Sequence, residues 1–297
     1  MKKITIFLIF SVFCSFALHA QLGTHWKKIR HEAIVGFGAT SFLGELGGAN
    51  QIGTHFIRDF EFKSTKGLFE VGYRYKLEED WAIKGAIWYG WVSGADSLTQ
   101  EIHRRNRDLS FRSPIVELTA NIEYSIINER YGHRYDLRRI KGKKNTPNLY
   151  VFTGVSAFYF NPKAKYTDGE WYALQPLGTE GQGRVPTREK YSRIAMAIPA
   201  GIGMNYMLDR NWGIGAELGF RYTFTDYMDD VSTTYVDSNL FNDDPIAQYF
   251  HDPTNGTWVG AGTLNQRGDD HYNDFYMFLS VNASYKIRPR QPGLPKF

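Results

Sequence analysis

The chain has 297 residues, 42% hydrophobic and 22% charged, with Lys+Arg 35 against Asp+Glu 31 and a formal net charge of +4. So small an imbalance excludes a global electrostatic attraction to nucleic acid, and 21 Phe, 19 Tyr and 7 Trp exclude a disordered chain. Mean hydropathy is −0.40, and beyond residue 20 no run of about 18 apolar residues exists, which excludes a helical membrane protein.

Residues 1–20 read as a secretory signal peptide. Met1-Lys2-Lys3 is a basic start, Ile4 to Leu18 is apolar, and cleavage after Ala20 follows from His19-Ala20-Gln21. The one cysteine, Cys14, lies inside that segment, so the mature chain would have no disulfide, thiol chemistry or cysteine metal site.

Eight segments then alternate with period 2. A strand sends successive side chains to opposite faces, whereas a helix mixes these sets. The first, about 31–41, is the least regular. In Phe69 to Leu77 the apolar face is Phe69, Val71, Tyr73, Tyr75 and Leu77. Trp81 to Val92 has blurred faces. Then Val116, Leu118, Ala120, Ile122 and Tyr124 oppose Glu117, Thr119, Asn121 and Glu123. Leu149 to Phe160 is again blurred. Ser192 to Leu208 carries Ile194, Met196, Ile198, Ala200, Ile202, Met204 and Tyr206 on one face. Trp212 to Phe224 and Phe275 to Ile287 show the cleanest alternation. Each run approaches the ten or so residues that a tilted membrane strand needs.

The connections alternate too. Glu78-Glu79-Asp80 and Asp209-Arg210-Asn211 are short, a polar insert covers Asn128–Asn148, and about 42–66, 93–110, 161–190 and 225–273 are long. Turns at one rim and loops at the other predict an all-β, up-and-down antiparallel transmembrane β-barrel of eight strands, with periplasmic turns and extracellular loops. The expected organisation is a signal peptide at 1–20, the barrel at 21–287 and a periplasmic tail at 288–297. Strand character at 55–63 and 232–237 leaves ten strands open. An internal echo, Tyr75-Lys-Leu77 to Trp81-Ala-Ile83 against Tyr206-Met-Leu208 to Trp212-Gly-Ile214, repeats aromatic, apolar, polar turn, Trp. Tyr and Trp suit a lipid–water boundary. Two hairpins of a soluble sandwich are the alternative.

If the apolar faces meet lipid, Glu70, Arg74, Lys84, Glu117, Glu123, Arg193, Glu217, Arg221 and Lys286 point inward. Mixed signs in a narrow lumen favour an ion-paired plug, with a proton or ion path as the alternative. The insert carries Arg130, Arg134, Arg138, Arg139, Lys141, Lys143 and Lys144 against Glu129 and Asp136. It is either a solvated basic turn or a docking surface for an acidic periplasmic protein or lipid phosphates. The last loop is acidic: Asp226, Asp229, Asp230, Asp237, Asp243, Asp244, Asp252, Asp269, Asp270 and Asp274 face Arg267 alone. Calcium is conceivable on ligand chemistry, but no spacing matches a calcium loop, and Asp also favours turns. No HExxH, GxSxG, Walker or CxxC signature is present. His271 near the outer rim has no evident nucleophile. The expectation is therefore no enzyme, no cofactor and no metal.

Ser41-Phe-Leu-Gly-Glu-Leu-Gly-Gly-Ala-Asn50 with Gln51-Ile-Gly-Thr-His-Phe, Thr225-Asp-Tyr-Met-Asp-Asp-Val-Ser232, Arg267-Gly-Asp-Asp, Asn273-Asp274-Phe-Tyr-Met-Phe and Ala283-Ser-Tyr-Lys-Ile287 together resemble the PorG family. These are small outer-membrane barrels of the type IX secretion and gliding machinery. The resemblance spans about 31–287. Members usually show Gly-Asp-Leu where this chain has Gly44-Glu45-Leu46, and the basic insert is longer than expected, which leaves open a paralogue with a different partner. The resemblance implies a non-enzymatic component in the outer membrane of a Gram-negative bacterium, contacting lipid and periplasmic ring lipoproteins. The insert and the Leu22–Arg30 lead-in would be the contacts. A lipid-modifying small barrel, or a purely structural or adhesive one, is the alternative.

Overall fold

The computed structural model describes residues 29–44, 46, 65–98, 102–129, 146–209, 211–254, 262 and 264–288. The signal segment 1–20, the stretch 55–63, almost all of the tail 288–297 and every basic residue named in the insert lie outside them. The strands are β1 (His31–Leu43), β2 (Lys66–Lys76), β3 (Trp81–Ala95), β4 (Ser110–Ile127), β5 (Asn148–Phe160), β6 (Lys163–Lys165), β7 (Trp171–Ala173), β8 (Ile194–Met207), β9 (Trp212–Thr223) and β10 (Phe275–Ile287). Among the described residues, three short α-helices, α1 (Ile102–Arg107), α2 (Leu174–Leu177) and α3 (Pro245–His251), and two 3-10 helices, Asp96–Leu98 and Ser238–Phe241, lie in the loops.

Eight of these strands run in the order β3-β2-β1-β10-β9-β8-β5-β4, and β3 pairs with β4 to close the ring. Every pairing is antiparallel. Closure leaves no unpaired edge, which is the condition for crossing a bilayer with strands. The outward faces stay apolar and open: Phe37 is 66%, Leu118 61% and Ile194 65% exposed. An apolar girdle of this extent has no place on a water-soluble surface.

The two blurred runs resolve here. Facing inward, β3 carries Trp88 and Val92 and β5 carries Tyr150, Phe152, Phe158 and Phe160. β3 has aromatics on both faces and β5 is aromatic inside and apolar outside, so hydropathy alone could not separate them. The lumen is thus apolar in its upper part, where Trp88, Phe111, Phe158, Tyr276 and Phe278 join Leu174, Met228, Val231 and Phe250 of the loops in one cluster. A second cluster of Val236, Phe241 and Ala247 lies within the loops.

β4 extends six residues above the alternating run read from sequence. Pro114 pairs with Trp91 there, beyond the last β5 partner, Phe160 opposite Ile115. A strand that has outrun its neighbour tolerates proline as an edge does. Among the described residues, the two strands beyond eight are the β6–β7 hairpin, which joins the barrel through Arg112 opposite Lys163. Residues 232–237 form no strand, only an isolated bridge from Thr234 to Gln266.

The echoed turns are one structure used twice. Leu77 and Glu78 N–H both donate to the Trp81 carbonyl, at 2.9 and 3.1 Å, and Leu208 and Asp209 N–H to the Trp212 carbonyl, at 2.9 and 3.2 Å. Each tryptophan lies 4.9 Å from a tyrosine of the adjacent strand, Trp81 from Tyr124 and Trp212 from Tyr285.

Candidate functional site

The lower lumen is a single polar network fed by all eight spanning strands. Arg74 of β2 is its hub. Its guanidinium donates to Glu123 of β4 at 2.5 and 3.1 Å, to Glu32 of β1 at 3.0 Å and to the Tyr150 hydroxyl of β5 at 2.9 Å. Lys84 of β3 reaches Glu217 of β9 at 2.6 Å and Glu70 of β2 at 2.5 Å. The Tyr150 hydroxyl donates to Glu217 at 2.6 Å, which links the two cations through one carboxylate. Asn205 of β8 donates to Glu32 at 3.0 Å and Ser280 of β10 to Glu70 at 3.3 Å.

Such a network needs room, and alternate small residues supply it. On β9 the inward set is Gly213, Gly215, Glu217, Gly219 and Arg221, so each long side chain has glycine beside it. Lys84 is fully buried. A charge at such a depth persists only when paired, and removing one partner costs about 3–5 kcal/mol.

A second pair sits higher. Arg221 donates to Glu117 at 3.2 Å, and the Tyr276 hydroxyl donates to the same carboxylate at 2.5 Å. The guanidinium also lies 4.1 Å from the Phe278 ring centre, where cation–π attraction offsets lost hydration. At the lower rim Glu129 accepts from Lys76 at 2.9 Å and from Lys286. Burial alone would raise its pKa, but Lys76 and Lys286 outweigh that and hold the carboxyl below the usual range.

Of the residues read as inward-facing, Glu70, Arg74, Lys84, Glu117, Glu123, Glu217, Arg221 and Lys286 are buried within the barrel. Arg193 is not among them. It precedes β8 at the outer rim, half-buried, with its guanidinium 5.8 Å from the Tyr159 ring centre. Sequence reasoning passed over Glu32, Tyr150, Tyr276 and Asn205. Glu32 shares its parity with Ile34 of β1, so alternation held a signal for it. The insert residues Arg130, Arg134, Arg138, Arg139, Lys141, Lys143 and Lys144 lie outside the described residues.

The described long loops fold into a cap at one end of the barrel, with its own buried ion pair. Glu180 accepts from the Ser232 and Thr233 N–H groups at 3.0 and 3.1 Å and from Arg267 at 3.0 Å. Arg267 also donates to the carbonyls of Asp230 and Phe250, at 2.7 and 3.2 Å. The Asp230 carboxylate accepts the Thr179 and Tyr191 hydroxyls at 2.5 and 2.6 Å. Burial pushes its pKa up to about 6 despite Arg267 and those hydroxyls.

The aspartates of the acidic loop are used one by one. Asp229 accepts Val231 N–H at 3.0 Å, Asp274 accepts Met228 N–H at 2.9 Å, and Asp237 and Asp244 cap the short helices that follow them. This is the turn and cap chemistry of Asp. Among the described residues the one group with metal-ligating potential is Asp269, Asp270 and His271. Asp270 and His271 are exposed, and Nδ1 of His271 lies 3.2 and 2.9 Å from the two carboxylates. A cavity of about 30 Å³ beneath the cap, lined by Leu109, Asp229, Val231, Phe250 and Arg267, holds no more than a water or two.

The family model described as a domain of unknown function, DUF6089, matches residues 3–242. No curated protein is significantly similar to the chain. Among solved structures, Ail, the attachment invasion locus protein of Yersinia pestis, is 11% identical over 87% of this chain and 100% of its own, with a TM-score of 0.38. The outer membrane protein OprG of Pseudomonas aeruginosa is 10% identical over 88% and 98%, with a TM-score of 0.35. The outer membrane protein AlkL is 12% identical over 93% and 98%, with a TM-score of 0.34.

Proposed function

The chain belongs to the DUF6089 family, and from that premise we propose that it is a non-enzymatic outer-membrane barrel that anchors a periplasmic assembly. The observation that carries this reading is the lumen, filled by side chains from all eight spanning strands and covered by a folded cap. A barrel whose described lumen is packed with side chains in this way works through its surfaces. The rim opposite the cap has two four-residue turns and one connection of twenty residues between β4 and β5.

That long connection carries seven basic side chains against two acidic ones in 128–148. The resemblance to the PorG family makes the ring lipoproteins of a type IX-like secretion machine the partner class, reached after export through the general secretory pathway. The test reverses the charge of Arg138, Arg139, Lys143 and Lys144 together. Recovery of ring lipoproteins with the barrel from solubilised envelopes should fall by an order of magnitude. Undiminished recovery would reject the anchoring role and favour a structural or adhesive one, for which the cap offers the surface. A lipid-modifying enzyme is disfavoured because His271 faces carboxylates rather than a hydroxyl nucleophile.

A further inference from the structure

Cations inside the barrel and cations on one strip of its outer face are treated differently. Inside, Arg74, Lys84 and Arg221 each meet a carboxylate. Outside, among the described residues, Arg112, Lys163, Lys165 and Arg193 make no ion pair. Arg112, Lys163 and Lys165 share the outer face where β4 meets the β6–β7 hairpin, and Arg193 stands at the rim beside them with its guanidinium 5.8 Å from the outward Tyr159 ring.

Register fixes their height. Arg112 shares the outward parity of Val116 and Leu118, and Lys163 lies directly across from it. Lys165 and Trp171 are cross-strand partners on the same face of the hairpin, because Ala164 between the lysines points into the core. Below this row lie Trp91, then Tyr89 and Tyr159. At the lower end of the same strands stand Trp81 and Tyr124. From Trp81 to Trp91 the strand covers about 33 Å, or about 25 Å of height at the usual tilt, which is the thickness of a barrel's apolar band. Trp81 and Trp91 thus mark two aromatic girdles. Arg112, Lys163 and Lys165 lie just above the upper one, at the level of outer-leaflet headgroups.

Arg112 is also held in a particular way. Its guanidinium carbon is 5.6 Å from the Trp91 ring centre and 6.0 Å from that of Trp171. Contact through ring faces orients the planar group without consuming its N–H donors, which suit two phosphate oxygens at once.

We propose that this strip, Arg112, Lys163 and Lys165 framed by Trp91 and Trp171 with Arg193 at its flank, is a binding site for the phosphorylated headgroup of an outer-leaflet glycolipid. It rests on the membrane-spanning reading of the barrel but not on any periplasmic partner. The test uses the full chain in phosphatidylcholine nanodiscs doped with diphosphorylated lipid A or with its monophosphorylated form, and counts bound lipids by native mass spectrometry. Wild type should enrich the diphosphorylated form. The triple variant Arg112→Gln, Lys163→Gln, Lys165→Gln should lose that enrichment, roughly fivefold for each charge removed. The variant Lys163→Arg, Lys165→Arg should retain it. Heat-modifiable gel mobility, read beforehand, reports folding and insertion separately. No enrichment by wild type, or enrichment that survives in a folded triple variant, overturns the site.

Discussion

Asp230 and His251 titrate in opposite senses within one cap. Asp230 is raised by burial from 3.8 to about 6, so its stabilising contribution is complete below about pH 4 and is lost as pH rises through 6. His251 is lowered from 6.5 by burial, with its Nδ1 2.8 Å from the Thr179 carbonyl. Its contribution is complete above 6.5 and is lost as pH falls through the depressed value. Both groups meet at Thr179, so the wild-type cap should show a shallow pH profile. Limited proteolysis of the loops between about pH 7 and about pH 5 separates them. In His251→Gln, where only Asp230 remains, protection should increase as the medium is acidified. In Asp230→Asn it should decrease. Two variants with parallel profiles would remove this assignment. None of this opposition was legible in the sequence, which showed a histidine and an aspartate twenty-one residues apart in an acidic loop. The burial comes from different neighbours: His251 lies against the Tyr235 and Phe241 rings, 5.4 and 4.7 Å away, and Asp230 is enclosed by Thr179, Tyr191 and Arg267.

At the scale of a strand, alternation is legible where the two faces differ in chemistry. β9 is polar or small inside and apolar outside, so its bounds were readable to within a residue. β5 is aromatic inside and apolar outside, and only a neighbour can say which face is which. Gly203 of β8 is such a neighbour. A Cβ there would lie 2.3 Å from Cζ of Tyr150, the residue that links Arg74 to Glu217. Gly203→Val should displace that ring and destabilise the barrel by about 2–4 kcal/mol, combining overpacking with a lost buried hydrogen bond. Gly67→Val on β2, where nothing lies within 4 Å, should be near neutral. The urea midpoint of the heat-modifiable gel shift measures both. Equal midpoints would mean that Tyr150 is not held as described. The β6–β7 hairpin escaped prediction for another reason. Three-residue strands carry too few side chains to show a period, and their pairing depends on β4 extending past β5.

For the whole molecule, the described lumen divides into a lower ionic half and an upper aromatic half, both built of buried side chains, which argues against a continuous water path. Reconstituted into planar bilayers, the protein should give no stable conductance step at any polarity. Reproducible steps from a purified, fully folded sample would contradict the filled interior. Glu129 sets a further property of the assembly. Its carboxylate ties Lys76 at the end of β2 and Lys286 at the end of β10 to the point where the chain leaves β4. Asn128 adds a bond to Asp80 of the neighbouring turn. Any pull on the segment that follows residue 129 is therefore shared by strands on both sides of the seam between the first and last strands. The load is borne by charges set crosswise to the strands, and the hairpin hydrogen bonds of β4 and β5 are spared unzipping one at a time. Glu129 is thus a strut as well as a counter-ion, at the place where a tethered partner would apply force.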